Sequence, residues 1–199
     1  MPTGKIRYCW DSCVFISLLT GQGRTREDLD NLRKIENLVD DGEVVIFTPA
    51  ITLVEVLACK LTDEQESAFK ALLRRSNVLP VSVTWRIAER AREIRNYYRI
   101  KGMEIAVPDS IHLGTALIYE ATALHTYDGC GKRRRRTDLL MLATPLIEKY
   151  MLRICKPEPP PEPKTGAGAL RGSTPEEHSG DLFGDLDWPA LGVTGNEKG

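Results

Sequence analysis

What most constrains this chain is a change of rhythm that recurs along Met1–Cys155. Short β-branched or aromatic runs at Ile6–Trp10, Val44–Thr48, Val78–Val83, Ala123–Thr126 and Tyr150–Ile154 alternate with stretches whose apolar residues return at helical spacing. Val14, Phe15, Leu18 and Leu19 form the first such stretch, which Gly21 and Gly23 end. Thr25 and Asp28 have the spacing of a capping box ahead of Leu29, Leu32, Ile35, Leu38 and Val39. Pro49 opens a helix expected to turn Ile51, Val54, Leu57 and Ala58 inward. Thr62 to Arg75 reads as an amphipathic helix, Thr84 caps a long one from Trp85 to about Ile100, and Pro108 and Asp109 open another. Leu139 to Leu142 reads as a short helical turn. Strand–helix alternation with strands apolar throughout implies an α/β fold, a parallel sheet flanked by helices on both faces.

A parallel sheet gathers the residues just beyond its strand ends at one rim, where ligands bind. Asp11 follows the first strand and Asp128 the strand at Ala123. Asp109 lies in the first turn of the helix leading into that strand, where free backbone N–H groups and the helix dipole keep it ionised. Glu55 sits on the helix after the second strand. Taken singly, each acid is an ordinary helix-end or turn residue. Together they are carboxylates that share a pocket with no histidine or thiol among them. Two carboxylates about 4 Å apart repel by roughly 4 kcal/mol at an effective dielectric near 20, so an empty cluster holds protons or a cation. Oxygen ligands suit a hard ion, Mg²⁺ or Mn²⁺, and hydrolysis of a nucleic-acid backbone is the matching reaction class.

With 199 residues the chain has room for one domain and an appendage. Up to Cys155 it carries 23 Lys and Arg against 20 Asp and Glu, and after it 4 against 8, so a slightly basic body is followed by an acidic tail. The basic excess is concentrated in Lys132, Arg133, Arg134, Arg135 and Arg136, which directly follow Asp128 and read as a phosphate-gripping loop for RNA. Five scattered cysteines fit a reduced, cytoplasmic protein, and Cys9 and Cys13 lack the partners that would complete a zinc site. No signal-peptide pattern opens the chain, and no apolar run is long enough to span a membrane. The expected division is a domain over 1–155 and a Pro/Gly-rich, acidic, disordered C-terminal tail over 156–199. Within that tail, Asp181–Leu191 mixes acids with Leu, Phe and Trp as a short docking motif does.

Tyr8–Ile16, Thr48–Leu57, Pro108–Leu117 and Leu124–Asp128 together resemble the four signature blocks of the PIN domain, and especially of its VapC-type toxin ribonucleases. The resemblance implies a small PIN-like α/β domain that holds Mg²⁺ or Mn²⁺ with Asp11, Glu55, Asp109 and Asp128. Such domains usually form homodimers and cut single-stranded or looped RNA, and in toxin members a small antitoxin blocks the site. Thr126 matches the hydroxyl that family members often place two residues before the last acid. Cys13 departs from the pattern, since the family often has Ser, Thr or Asn there; either Ser12 supplies the polar contact or the site tunes its metal differently. The arginine run and the tail are additions to the minimal domain. The alternative from a different class is a PIN-fold RNA- or protein-binding module with little catalysis.

Other assignments for the acids find less in the sequence. A receiver domain needs an acidic pair at the first strand, and a haloacid-dehalogenase-like phosphatase needs a second aspartate two after the first. Asp11 has neither. The segment Asp11–Phe15 has no glycine for a dinucleotide fingerprint, and no Gly-x-Ser-x-Gly elbow exists for a serine hydrolase. His112, one helical turn past Asp109, is expected to play a structural or supporting role.

Overall fold

Strand β1 (Ile6–Trp10) is the middle of a five-stranded parallel sheet of order β3-β2-β1-β4-β5 in the computed structural model, which describes residues 5–129, 137–142 and 144–161. On one side β1 pairs with β2 (Val44–Pro49), and β2 with β3 (Val78–Val81). On the other side it pairs with β4 (Ala123–His125), which carries β5 (Arg153–Cys155). Cys9 lies opposite Phe47 on one neighbour and Leu124 on the other. Strand order turns back between β1 and β4, so the crevice beyond their carboxyl ends is the switch point of the sheet.

Because side chains alternate across a strand, Tyr8 and Trp10 enter one core layer and Cys9 the other. The first layer is covered by α1 (Ser12–Thr20), α2 (Arg26–Asp40) and α4 (Asp63–Leu72), which contribute Val14, Phe15, Leu32, Ile35 and Phe69. The second is covered by α5 (Trp85–Ile100) and α6 (Val107–Ile118), through Ile94, Tyr98 and Leu113. Both faces of the sheet are therefore sealed, as uninterrupted apolar strands require. Thr25 and Asp28 form the expected capping box, and Thr62 with Gln65 forms another. The α5–α6 contact is close at Gly114, where an added Cβ would lie 2.8 Å from the Ile87 carbonyl oxygen.

One helix faces differently from its apolar pattern. In α3 (Ile51–Leu57) the buried residues are Thr52 and Val56, whereas Val54 is 68% exposed and Leu57 and Ala58 are also exposed. A hydroxyl chain explains the rotation: the Thr48 hydroxyl donates to the Trp10 carbonyl (2.9 Å) and lies 2.6 Å from that of Thr52. Anchoring Thr52 over the strand ends also brings Glu55 toward the switch point. Two strands are shorter than their apolar runs: β3 stops at Val81, and Tyr150 bridges Leu146 outside β5.

The described residues belong to one compact unit, Met1–Pro161. Beyond Cys155 the chain continues along this unit, with Pro157 buried and the Lys156 ammonium 3.6 Å from Asp28. The remainder of the tail, including Asp181–Leu191, lies outside the described residues. Among the described residues, no helix is long and apolar enough to cross a membrane.

Candidate metal centre

Asp11 leaves β1 at the switch point and N-caps α1 with extended backbone. Its carboxylate is buried, and neighbouring donors hold both oxygens. Ser12 Oγ donates to Oδ1 (3.2 Å), while Thr126 Oγ (2.7 Å) and Cys13 Sγ (3.1 Å) donate to Oδ2. Burial pushes this carboxyl up, but His112 and the hydrogen bonds from Thr126, Cys13 and Ser12 outweigh it and hold the pKa below the usual value. Asp11 is thus a fixed, ionised acceptor.

Cys13, the departure from the family pattern, has a clear place here. Its sulfur contacts Asp11, lies 3.4 Å from Thr126 Oγ and accepts the Tyr127 N–H at 3.1 Å. Burial, then the Asp11 charge, raises the thiol well above its ordinary range, so it remains a neutral donor. Ser12 and Cys13 therefore share the polar contact.

Glu55 reaches the pocket from α3, and its Oε2 lies 3.2 Å from His112 Nε2. That nitrogen is also 3.5 Å from Asp11 Oδ1. Ligand atoms of Asp11, Glu55 and His112 all lie within 4.8 Å of one another. Burial alone would lower the His112 pKa, but Asp11, Glu55 and Asp109 together raise it. The imidazole thus joins a pocket expected to contain carboxylates alone. The signal was its offset of one helical turn from Asp109 on α6; which way that face turns becomes visible only when α6 is packed on the sheet.

Asp109 and Asp128 complete the concentration of negative charge. Burial, then Asp11 and Asp128 and, more weakly, Glu55, push the Asp109 carboxyl up to about 6, with His112 acting against them. The helix N-terminus by itself implied an acid that stays ionised, but its neighbours pull the other way. Asp128 is held by the fold: its N–H donates to Thr126 Oγ (2.9 Å), and its Oδ2 accepts from the Leu139 N–H (3.2 Å). Thr126 therefore ties Asp11 to Asp128 through one hydroxyl. The Lys132–Arg136 run lies outside the described residues.

The donor set suits a divalent cation. Negative charge is gathered at a ligand-binding crevice, and the contacts around Asp11 are of the outer kind that orient metal ligands.

Among the solved structures to which the chain is similar are three, each at low identity, whose coverage is informative. The VapBC2 complex of Rickettsia felis, described as bound to a DNA fragment from its promoter, matches at 18% identity with a TM-score of 0.49, covering 61% of this chain and 87% of its own. The Mycobacterium tuberculosis toxin VapC20, described as cleaving the sarcin-ricin loop, matches at 18% identity and 0.48, covering 62% and 91%. FitAcB of Neisseria gonorrhoeae matches at 19% identity and 0.47, covering 75% and 97%. No curated protein matches the sequence. The family model of the PIN domain matches residues 8–134, which take in every strand-end acid described above, and the chain belongs to the PIN domain family.

Proposed function

We propose that this PIN-domain protein is a metal-dependent endoribonuclease that hydrolyses RNA phosphodiesters, with Mg²⁺ or Mn²⁺ held by Asp11, Glu55, Asp109 and Asp128 beside His112. The observation that carries this reading is the meeting of Asp11, Glu55 and His112 ligand atoms within 4.8 Å at the switch point of the sheet. When bound, such an ion lowers the pKa of a water and neutralises charge developing on a phosphodiester. The protein's own part is orientation. Ser12, Cys13 and Thr126 fix both oxygens of Asp11, and Thr126 and the Leu139 N–H fix Asp128. Asp109, pushed up to about 6, is the carboxyl best suited to hold a proton while the pocket lacks its cation.

Incubating the purified protein with structured RNAs and Mg²⁺ or Mn²⁺ tests the reading. Cleavage is expected, with loss in EDTA and in Asp11→Asn and Asp109→Asn. Equal activity in those variants refutes it, and RNA binding without cleavage in the wild type turns the assignment toward a binding module. The toxin form of the reading rests on the four signature blocks and requires a small DNA-binding antitoxin in the neighbouring reading frame. A homodimer is the assembly those blocks imply, which light scattering checks.

A further inference from the structure

Outside the acid pocket, a cleft of about 360 Å³ opens between the C-terminal half of α5 and the segment leading into α6. Arg95, Asn96, Arg99, Gly102, Glu104 and Ile105 contribute to its lining. Arg92, exposed and one turn before Asn96, continues the arginine row along α5 at helical spacing. The ion pairs along this helix and at its end use other residues: Glu93 pairs with Arg90 and Lys149, and Lys101, just past the helix, with Glu148. Among the described residues, Arg92, Arg95 and Arg99 have no carboxylate within salt-bridge reach, so the row keeps its positive charge. Arg95 is nonetheless held in place, because its Nε donates to the Ile105 carbonyl at 3.1 Å. A helix C-terminus accounts for one favourable cation at Arg99, but not for a row that begins two turns earlier beside a cleft.

The cleft is tied to the acid pocket by a short strap. Thr137 N–H donates to the Glu104 carbonyl (2.8 Å), and two residues later Leu139 N–H donates to Asp128 Oδ2 (3.2 Å). Two residues of chain reach at most about 7 Å, so the Glu104 carbonyl and the Asp128 carboxylate lie within roughly 13 Å. On the other side, the cleft residue Ile105 precedes Asp109 by one turn's worth of chain. The separation between the Glu104 carbonyl and the Asp128 carboxylate is no more than a few nucleotides of backbone.

We infer that the α5 cleft, with Arg92, Arg95 and Arg99, is a phosphate-binding subsite for the RNA backbone flanking the cleaved bond. Guanidinium forks match phosphate oxygens and read no base, so the subsite contributes affinity and strand direction rather than sequence preference. Glu104 is the single carboxylate in the lining and leaves the cleft with net positive charge.

This inference rests on the ribonuclease reading, and its test keeps the two apart. The full chain is compared with Arg92→Glu/Arg99→Glu, the milder Arg92→Gln/Arg99→Gln and the control Arg86→Glu. The assays are binding of a short single-stranded RNA in EDTA over a range of salt, and cleavage in Mn²⁺. The charge-reversed variant is expected to bind at least about tenfold more weakly, with the salt slope reduced by about one for each phosphate that an arginine no longer neutralises. KM should rise while kcat stays within about twofold, melting should be unchanged, and the Gln variant should fall between. Arg86→Glu should behave as wild type. Unchanged KM and salt slope in the charge-reversed variant, when the wild type cleaves RNA, overturn the subsite alone. A wild type that neither binds nor cleaves RNA overturns both. Competition by polyglutamate as effective as competition by RNA assigns the cleft to an acidic protein segment and also overturns the proposal.

Discussion

His112 and His125 are both fully buried, on α6 and on the strand that follows it, yet their surroundings move them in opposite directions. His125 lies in the core, its Nδ1 accepting from Trp10 Nε1 (3.2 Å) and its ring 4.2 Å from that of Tyr8. Burial, assisted by Arg153, lowers it to about 3, so it stays neutral. His112 faces Asp11 and Glu55, and their charge overcomes the same burial penalty. The lesson is that burial alone does not set charge in this protein. The pocket beyond the strand ends is a charged compartment built next to a conventional core, and it is negative enough to hold an imidazolium or, on our reading, a metal ion.

Removing the acids of the pocket should have the largest effect. Asp11→Asn or Asp109→Asn should lower RNA cleavage by at least about 10²-fold while leaving the fold intact, measured by single-turnover cleavage and circular dichroism. Next in size is the core histidine. Its folded pKa lies below the ordinary 6.5, so its neutral form contributes stability that is present above about 6.5 and lost as pH falls toward 3. That loss reaches about 2–3 kcal/mol by pH 4.5. Chemical denaturation across this range should show it, and His125→Phe should flatten it.

His112→Gln should destabilise the metal-free protein by about 1–3 kcal/mol, because Asp11 and Glu55 lose their shared counter-charge. Added Mn²⁺ should restore part of that stability, as read by the melting temperature. The smallest expected effect is on stability, at Asp109. Its folded pKa of about 6 is raised above the unfolded value, so its contribution is fully present below about 3.9 and lost as pH rises through 6. In the metal-free protein, Asp109→Asn should remove a penalty of about 1 kcal/mol at neutral pH, after allowing for solvent screening.

Much of the fold was legible because alternation of strand and helix is written in periodicity, and Thr25 with Asp28 and Thr84 marked helix starts. The inward face of α3 was not legible. Val54 and Leu57 point outward because Thr52 is tied to Thr48, whose hydroxyl donates to the Trp10 carbonyl in a contact between distant parts of the chain. The approach of Asp11 and Asp128 followed from strand ends that share a rim, since Thr126 touches both. His112 and Cys13 were harder. Each is one turn or less from an acid in sequence, but its contact depends on how α6 and α1 rotate against the sheet.

On this reading the acids at the switch point form one divalent-cation site. Titrating Mn²⁺ into the metal-free protein by calorimetry tests it most directly, alongside Asp11→Asn and Glu55→Gln. Saturable binding is expected in the wild type, weakened at least about tenfold in each variant. Binding of equal strength in all three, or no binding to the wild type, would contradict it.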